Sequence, residues 1–328
     1  MQRWDGIEAV PDDVRASVVT IGNFDGVHRG HGAVLDAVVR TARAEDALAV
    51  ALTFDPHPAR VHRPQQAPEL LTGLADRLEL LAGHHLDAVL VIEYTLDFAA
   101  LDPETFVRRY LVEALGAKRV VVGQDVRFGR ENSGDRTTMA ELGAHYGFAV
   151  DLVHDAAADG QRRWSSTWVR EKLAEGDVEA AAAILDRPHW MRGTVVRGHA
   201  RGRDLGYPTA NLDPAATGSV PADGVYAGWL VRHPGTSEAE RLPAAISIGT
   251  NPTFDGLIRQ VEAHVLGRWD LDLYEQEVRL EFVQMLRPTV RFDNIDALVR
   301  QMRTDVLEAA QVLEVPEPQE AAADITRR

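Results

Sequence analysis

The stretch from Ser17 to His31, SVVTIGNFDGVHRGH, decides the fold of the first half of the chain. Its first five residues are apolar or β-branched, which is the pattern of a short buried strand. A glycine-rich turn follows over 22–30, and beyond it apolar residues recur at helical spacing up to about residue 44. A second apolar run at 48–54 completes a unit of strand, helix and strand.

The same alternation continues along the chain. Helical stretches precede strand-like runs at 70–82 and 88–92, at 103–115 and 119–122, and at 139–146 and 149–153. Strands that alternate with helices predict a parallel sheet with helices on its faces. We therefore predict that the first half is a doubly wound, Rossmann-like α/β domain.

The pattern changes after an amphipathic stretch at 166–185. From there on, strand-like runs are separated by glycine and proline turns, at 193–196, 224–231, 244–248, 260–265 and 277–285. Short strands with such turns predict a compact antiparallel β-barrel or sandwich, and we expect a small antiparallel barrel.

One final helix is predicted over 295–312. Its apolar residues Leu298, Met302, Val306 and Ala310 share one face and are expected to pack on the barrel. We predict a first domain at 1–186, a barrel domain at 187–315 and a disordered tail at 316–328.

Composition excludes several kinds of chemistry. The chain has 328 residues and no cysteine, which removes disulfides, thiolate nucleophiles and cysteine-based zinc sites. Only two of its 35 basic residues are lysines, Lys118 and Lys172, and neither lies in a P-loop or protein-kinase motif. Phosphate chemistry must therefore use arginine, histidine, backbone N–H groups or a metal.

Charge and hydropathy bound the partners. A net charge of −15 argues against a nucleic-acid partner. No apolar run approaches the roughly 18 residues of a membrane span, and Met1 to Arg15 lacks the pattern of a signal peptide. We expect a cytoplasmic protein that acts on small molecules and has neither a nucleic acid nor a membrane as partner. Whether it is a homo-oligomer is left open.

The turn after the first strand lies where an α/β domain usually binds its ligand. Its glycines let the backbone approach a ligand closely. His28 and His31 are three residues apart at a helix start, so both rings can project to one side, beside the unpaired N–H groups of the helix end. The pattern predicts a phosphate clamp. The alternative is a helix-capping turn with two surface histidines.

The sequence at 22–31, G-x-F-D-G-x-H-x-G-H, resembles the signature of the HxGH nucleotidyltransferases. In this full form it is similar to the FMN adenylyltransferase module of bacterial bifunctional FAD synthetases. Three further stretches match that module in order: FDPHP at 54–58, VGQDVRFG at 122–129 and SSTWVR at 165–170. The resemblance implies a domain that transfers AMP from ATP to FMN, giving FAD and pyrophosphate.

The resemblance also implies the residues of this site. Those on the ATP side would be Gly22, Phe24, Asp25, Gly26, His28, His31, Ser166, Thr167 and Arg170. Those on the flavin side would be Phe54, Pro56, Pro58, Asp125 and Phe128. The two histidines and Arg170 would be catalytic, because they would stabilise charge on the phosphates. Taken alone, Ser-Ser-Thr is also a common helix cap, and Phe-Asp-Pro a common turn.

A second glycine-rich segment, at 198–212, reads GHARGRDLGYPTANL. Its glycines let a backbone flap wrap a phosphate chain, and we predict Gly198 and Gly202 as ATP contacts. Thr209 and Asn211 alternate along an extended segment, so both side chains point to one face. Their oxygens are hard ligands suited to Mg²⁺ that arrives with ATP. The alternative is a glycine-rich turn followed by a capped strand.

Motifs further along, among them GVYAG at 224–228, VEAHVL at 261–266 and DLY at 272–274, complete an ordered set. The set resembles the riboflavin kinase domain over about residues 187–312. The resemblance implies that the barrel phosphorylates riboflavin to FMN, with Glu262 as general base. Glu262 lies in an apolar run, an unfavourable place for a carboxylate without a use. The alternative is a solvent-facing glutamate, as we expect for Glu281.

We thus predict a bifunctional enzyme of flavin cofactor biosynthesis that uses Mg²⁺ and ATP, with riboflavin, FMN and FAD as substrates and products. One alternative is a different HxGH nucleotidyltransferase with an accessory barrel. Another, from a different class, is a flavin- or nucleotide-binding regulator whose barrel binds nucleic acid.

Overall fold

The computed structural model describes residues 1–153, 162–198, 205–253 and 256–318. By their internal contacts they form two compact units. The first comprises Met1–Glu69 and Leu74–Ser165, and the second Leu70–Gly73 and the chain from Ser166 onward. Most of the predicted disordered tail lies outside the described residues. No helix in the described part of the chain has the length and apolar character needed to cross a membrane.

The first unit contains six strands and the helices between them. The strands are β1 Gln2–Asp5, β2 Ser17–Ile21, β3 Leu48–Asp55, β4 Ala88–Glu93, β5 Ala117–Gly123 and β6 Ala149–Val153. The helices are α1 Arg29–Ala44, α2 Pro58–His62, α3 Leu74–Gly83, α4 Leu96–Ala99, α5 Pro103–Phe106, which continues as a π-helical segment Val107–Ala114, and α6 Arg136–Tyr146. The strands form one parallel sheet in the order β1-β4-β3-β2-β5-β6.

Both faces of this sheet are buried. Val18 shares a hydrophobic core with Leu35 of α1, whereas its neighbour Val19 shares another with Phe106 and Met139, from α5 and α6. Successive residues of a strand point to opposite faces, so the two cores lie on opposite sides of the sheet. The predicted doubly wound α/β fold is confirmed.

The second unit combines helices with an antiparallel barrel. Its elements are α7 Ser166–Glu175, α8 Val178–Leu185, β7 His189–Val196, β8 Ala210–Leu212, β9 Gly224–Arg232, β10 Glu240–Thr253, β11 Gly256–Val265, β12 Glu277–Pro288 and α9 Ile295–Val312. The strands close in the order β10-β11-β8-β7-β12-β9. Val306 and Ala310 of α9 are buried against Ala227 and Ala245, which confirms the barrel with its C-terminal helix.

The structure differs from the sequence prediction at two elements. The polar N-terminus contains β1, an edge strand parallel to β4, in which Trp4 alone is buried. One buried residue in four leaves no alternation for sequence reasoning to detect. The single helix expected over 166–185 is two helices: Gly176 has φ +80°, and the Asp177 carboxylate accepts from the N–H of Ala180 to cap α8.

These two helices were expected in the first domain, but their contacts group them with the barrel. The boundary after residue 186 therefore stays a prediction.

The barrel also buries carboxylates that the sequence suggested would be exposed or did not mark. Glu281, expected to face solvent, is only 7% exposed and pairs with Arg241 and Arg279. Asp305 on α9 is buried and forms a bidentate ion pair with Arg287 of β12. The solvent-facing expectation for Glu281 was wrong because Arg279 of its own strand and Arg241 of β10 satisfy its charge.

Candidate active sites

The loop between β2 and α1 brings the two predicted histidines into contact. The rings of His28 and His31 stack with centroids 3.7 Å apart and an angle of 18° between their planes. His28 is also the N-cap of α1, because its Nδ1 accepts a hydrogen bond of 3.3 Å from the backbone N–H of His31. Gly30 permits this, since a Cβ there would lie 3.1 Å from the His28 ring. The cap and the histidine pair are thus one structure, and His28 is buried rather than a surface histidine.

The contacts favour a neutral His31 ring. Since Nδ1 of His28 is an acceptor, the neutral ring carries its proton on Nε2. Burial lowers the pKa of His31 well below its ordinary value, and the charges of His28, Arg163 and His84 lower it further. Nδ1 of His31 is buried, and no described residue forms a hydrogen bond with it. The pair can therefore offer N–H donors to an anion at neutral pH.

Two of the predicted ATP residues in this loop have buried side chains. Phe24 and Asp25 are each 2% exposed, and the Phe24 ring meets His31 edge-on at 5.3 Å. Gly26 has φ +81°, and at Gly22 a Cβ would lie 3.1 Å from the Phe24 ring, a tight contact. The Phe24 ring therefore packs against His31, one of the two histidines. Contact of these four residues with ATP stays a prediction.

A buried arginine that sequence reasoning missed holds this loop. Arg77 on α3 is 1% exposed. Its Nη1 donates to the carbonyl of Asn23 at 2.9 Å, and its Nη2 to the carbonyl of Phe54 at 3.0 Å. Burial lowers the pKa of Arg77, although the charges of Asp55 and Asp25 oppose this. One arginine in a helix of mixed composition carries no signal of burial, so the sequence could not reveal it.

A cleft of about 1040 Å³ opens beside this loop, a size that suits a cofactor-sized ligand. Three of the five predicted flavin residues line it, namely Phe54, Pro58 and Phe128, whereas Pro56 and Asp125 do not. Its other lining residues include the aromatic residues Tyr94, Phe98 and Phe106 and the basic residues Arg63, Arg127 and Arg130. The cleft thus combines apolar walls with positive charge.

Asp125 instead forms an ion pair with Arg163 at 2.8 Å. Partial burial acts to raise the pKa of Asp125, but the hydrogen bond and charge of Arg163 hold it below the ordinary value. Because Arg163 also acts on His31, it belongs electrostatically to the candidate site, although sequence reasoning did not select it.

The remaining predicted ATP residues of the first activity lie on α7. Ser166, Thr167 and Arg170 occupy its first turns, and the helix is grouped with the second compact unit. Their role in holding the β and γ phosphates stays a prediction.

In the barrel, three predicted residues converge. Asn211 of β8 pairs with Glu262 of β11 in the strand register. The Thr209 hydroxyl donates to Oε2 of Glu262 at 3.3 Å, and Nδ2 of Asn211 donates to Oγ1 of Thr209 at 3.4 Å. The expectation that Thr209 and Asn211 face the same side is confirmed. Glu262 is half-buried and engaged, which the solvent-facing alternative does not explain.

The donor set at this point fits a hard cation. Oδ1 of Asn211 is buried and finds no hydrogen-bond partner among the described residues, which is costly unless a ligand satisfies it. A carboxamide oxygen beside a hydroxyl suits Mg²⁺ that brings phosphate oxygens and water of its own. Among the described residues, no group of three or more His, Cys, Asp or Glu could hold a metal.

Two neighbours fix the segment that carries Thr209. Nδ1 of His264 donates to the carbonyl of Pro208 at 2.9 Å, a contact that sequence reasoning missed. Gly198 lies against Asn211 so closely that a Cβ would stand 2.6 Å from its carboxamide. Gly202, the other predicted ATP glycine, lies outside the described residues.

Comparison with known proteins identifies the family of each half of the chain. Residues 10–168 match the FAD synthetase family, and residues 185–313 match the riboflavin kinase family. The bifunctional riboflavin kinase/FMN adenylyltransferase of Escherichia coli (strain K12) is 36% identical over 301 residues, which cover 92% of this chain and 94% of that protein. The protein of the same description from Listeria monocytogenes is 34% identical over 290 residues, covering 88% and 90%.

A crystal structure described as a macrolide-efflux protein from Streptococcus pneumoniae superposes with a TM-score of 0.80 at 28% identity, over 93% of this chain and 97% of that one. An HxGH nucleotidyltransferase domain followed by a kinase barrel defines a two-domain transferase that uses nucleotides. The chain belongs to the family of bifunctional riboflavin kinase/FMN adenylyltransferases.

Proposed function

We propose specific roles for the residues of two active sites, one in each half of the chain. Family membership supports the two activities, riboflavin phosphorylation and FMN adenylylation. The observation that carries the residue assignment is the clustering of Thr209, Asn211 and Glu262 around an unsatisfied carboxamide oxygen, separate in sequence from the stacked pair His28 and His31. ATP and flavins are the substrates that the family implies.

In adenylyl transfer, an oxygen of the FMN phosphate attacks the α-phosphorus of ATP. The new P–O bond forms as the bond to the bridging oxygen of the β-phosphate breaks, and pyrophosphate leaves with the electron pair. Nε2–H of His28 and an N–H of His31 donate to the oxygens on which negative charge grows. Arg170, with Ser166 and Thr167, binds the β and γ phosphates.

The flavin of FMN occupies the cleft lined by Phe54 and Phe128. Its apolar walls suit the ring system. Arg63, Arg127 and Arg130 in the same cleft attract the phosphate. Arginine supplies this positive charge because the chain contains only two lysines. Asp125, paired with Arg163, orders the basic edge of this site.

In the kinase reaction, the ribityl 5′-hydroxyl of riboflavin attacks the γ-phosphorus of ATP and ADP leaves. Glu262 accepts the proton of that hydroxyl, and the hydrogen bond from Thr209 orients its carboxylate. Thr209 and Asn211 would hold Mg²⁺, which supplies positive charge to the phosphates when bound. Gly198 and Gly202 let the backbone approach ATP.

We further propose that the protein works in the cytoplasm. The absence of cysteine fits a reducing compartment, where ATP is also available.

The test is incubation of the purified protein with riboflavin, ATP and Mg²⁺, with riboflavin, FMN and FAD resolved by chromatography. We expect H28A to stop FAD formation from FMN while FMN formation continues, and E262Q to do the reverse. Matched controls are H145A and E275Q, which alter an exposed histidine and an exposed glutamate. If H28A and E262Q each lowered both activities in folded protein, the two-site assignment would be wrong.

A further inference from the structure

We infer that Arg77 is a positioning residue for adenylyl transfer, because its guanidinium joins the loop that carries the histidines to the end of β3, where Phe54 forms part of the flavin wall. The inference rests on the proposed function of the α/β domain. Arg77 is not placed to bind ATP or the flavin itself. It is 1% exposed, and its two Nη atoms donate to backbone carbonyls.

The hydrogen bonds of Arg77 lie just beyond the point where β2 and β3 stop pairing. The register of β2 with β3 ends at Ile21 and Leu52, and the last backbone bond runs from the N–H of Gly22 to the carbonyl of Leu52. Beyond that point, the segment after β2 leads to His28, and the last residues of β3 lead to the wall of the cleft. Arg77 connects these two segments by donating a hydrogen bond to one residue of each.

The carbonyl of Asn23 is the fixed start of a strained loop. It accepts from Arg77 at 2.9 Å and from the Thr53 hydroxyl at 3.3 Å. After it, Phe24 has φ 49° and Val27 has φ 37°, left-handed conformations that are unfavourable for residues other than glycine. Such a loop keeps its shape only if its surroundings define it. A shift of the Asn23 carbonyl would therefore be transmitted to His28, four residues beyond Phe24, and through it to the histidine pair.

The chemistry of the side chain supports a geometric role. An apolar residue would fill a buried space at lower cost than a guanidinium, whose burial must be offset by Asp55 at 3.5 Å. A planar guanidinium presents several N–H groups at fixed angles, so it can hold two carbonyls at a set separation. A lysine ammonium is a point donor and cannot impose the same geometry.

The experiment compares R77K, R77M and R77A with the control R108M, which removes an exposed arginine paired with Glu113 in the same unit. FAD formation from FMN, FMN formation from riboflavin and thermal unfolding are measured on each preparation. A misplacement of about 1 Å in a reacting group costs on the order of 10²-fold. We expect R77M to lower kcat for FAD formation by that order, with smaller changes in KM for ATP and FMN and no change in FMN formation.

R77K keeps the charge and volume in place and protects the test against a simple failure to fold. We expect it to unfold at close to the wild-type temperature and still lose about tenfold in kcat. Added guanidinium ion should restore part of the rate of R77A. Full FAD formation by folded R77K would overturn the inference, as would losses in R77M and R77A that follow only the fraction unfolded. Absence of FAD formation by the wild-type protein would instead refute the proposed function.

Discussion

Replacing Gly198 by alanine tests the kinase site with a single methyl group. A Cβ at this position would lie 2.6 Å from Cγ, Nδ2 and Oδ1 of Asn211. Non-bonded carbon atoms are most stable at about 3.5–4.0 Å. The carboxamide or the Gly198 backbone must therefore move by roughly 1 Å.

The surrounding strands determine which of the two moves. Asn211 is in register with Glu262 on one side and with Val196 on the other, so its backbone is held from both sides. Its carboxamide is the part that can turn, and turning it breaks the donation to Thr209 and removes Oδ1 from its place. A shift of this size in a substrate-positioning group costs on the order of 10²-fold in rate, or about 3 kcal/mol in the barrier.

The assay measures FMN formation from riboflavin at varied Mg·ATP. We expect kcat/KM for this reaction to fall by about 10²-fold in G198A, while FAD formation from added FMN stays at the wild-type rate. The control is G83A, where a Cβ meets no described residue within 4 Å and both activities should be unchanged. Unchanged FMN formation in G198A would refute the reasoning, because the carboxamide could then be displaced without consequence.

Three further predictions separate structural from chemical roles. H28N keeps an N-cap residue on α1 but removes the imidazole, so we expect unchanged thermal unfolding and a loss of FAD formation of about 10²-fold, measured by chromatography. H264L should raise the Mg²⁺ concentration needed for half-maximal kinase rate. H264N should stay near wild type, because its amide can still donate to the Pro208 carbonyl. Equal effects of the two variants would count against a role for this hydrogen bond. Burial lowers the pKa of His189 from 6.5 to about 4, although its hydrogen bond to the Ser219 carbonyl opposes this. Between these values the unfolded chain binds the extra proton, so barrel stability should fall by about 3 kcal/mol as pH drops from 6.5 to 4, and denaturation of H189Q should lack that part of the pH dependence.

The elements that sequence reasoning found are those with a periodic pattern or a motif. The strands β2 and β3 have continuous apolar runs, and α1 follows a glycine turn that no strand could continue. Thr209 and Asn211 could be placed on one face because a period of two follows from extended backbone alone. Such features depend on neighbours in the sequence, so one sequence is enough to predict them.

The features it missed depend on neighbours in space. Arg77 is buried because the Asn23 carbonyl of one loop and the Phe54 carbonyl of β3 meet at its guanidinium, and Glu281 because Arg241 of β10 and Arg279 of its own strand meet at its carboxylate. The strand β1 forms because the edge of β4 is free to pair with it, since its own residues carry no strand pattern. In each case the residue type alone favours exposure, and only the fold reverses that preference.

The structural and functional interpretations of a motif need not compete. His28 caps α1 through Nδ1, and that bond is what places the ring proton on Nε2, where it can meet a phosphate. An alanine at residue 28 would remove the cap and the donor together, and its lost activity would not identify the cause. Asparagine separates them because it satisfies the helix and offers no imidazole. Full activity in a folded H28N protein would mean that the enzyme does not require the imidazole of this residue, and the proposed role of that ring in the phosphate clamp would be wrong.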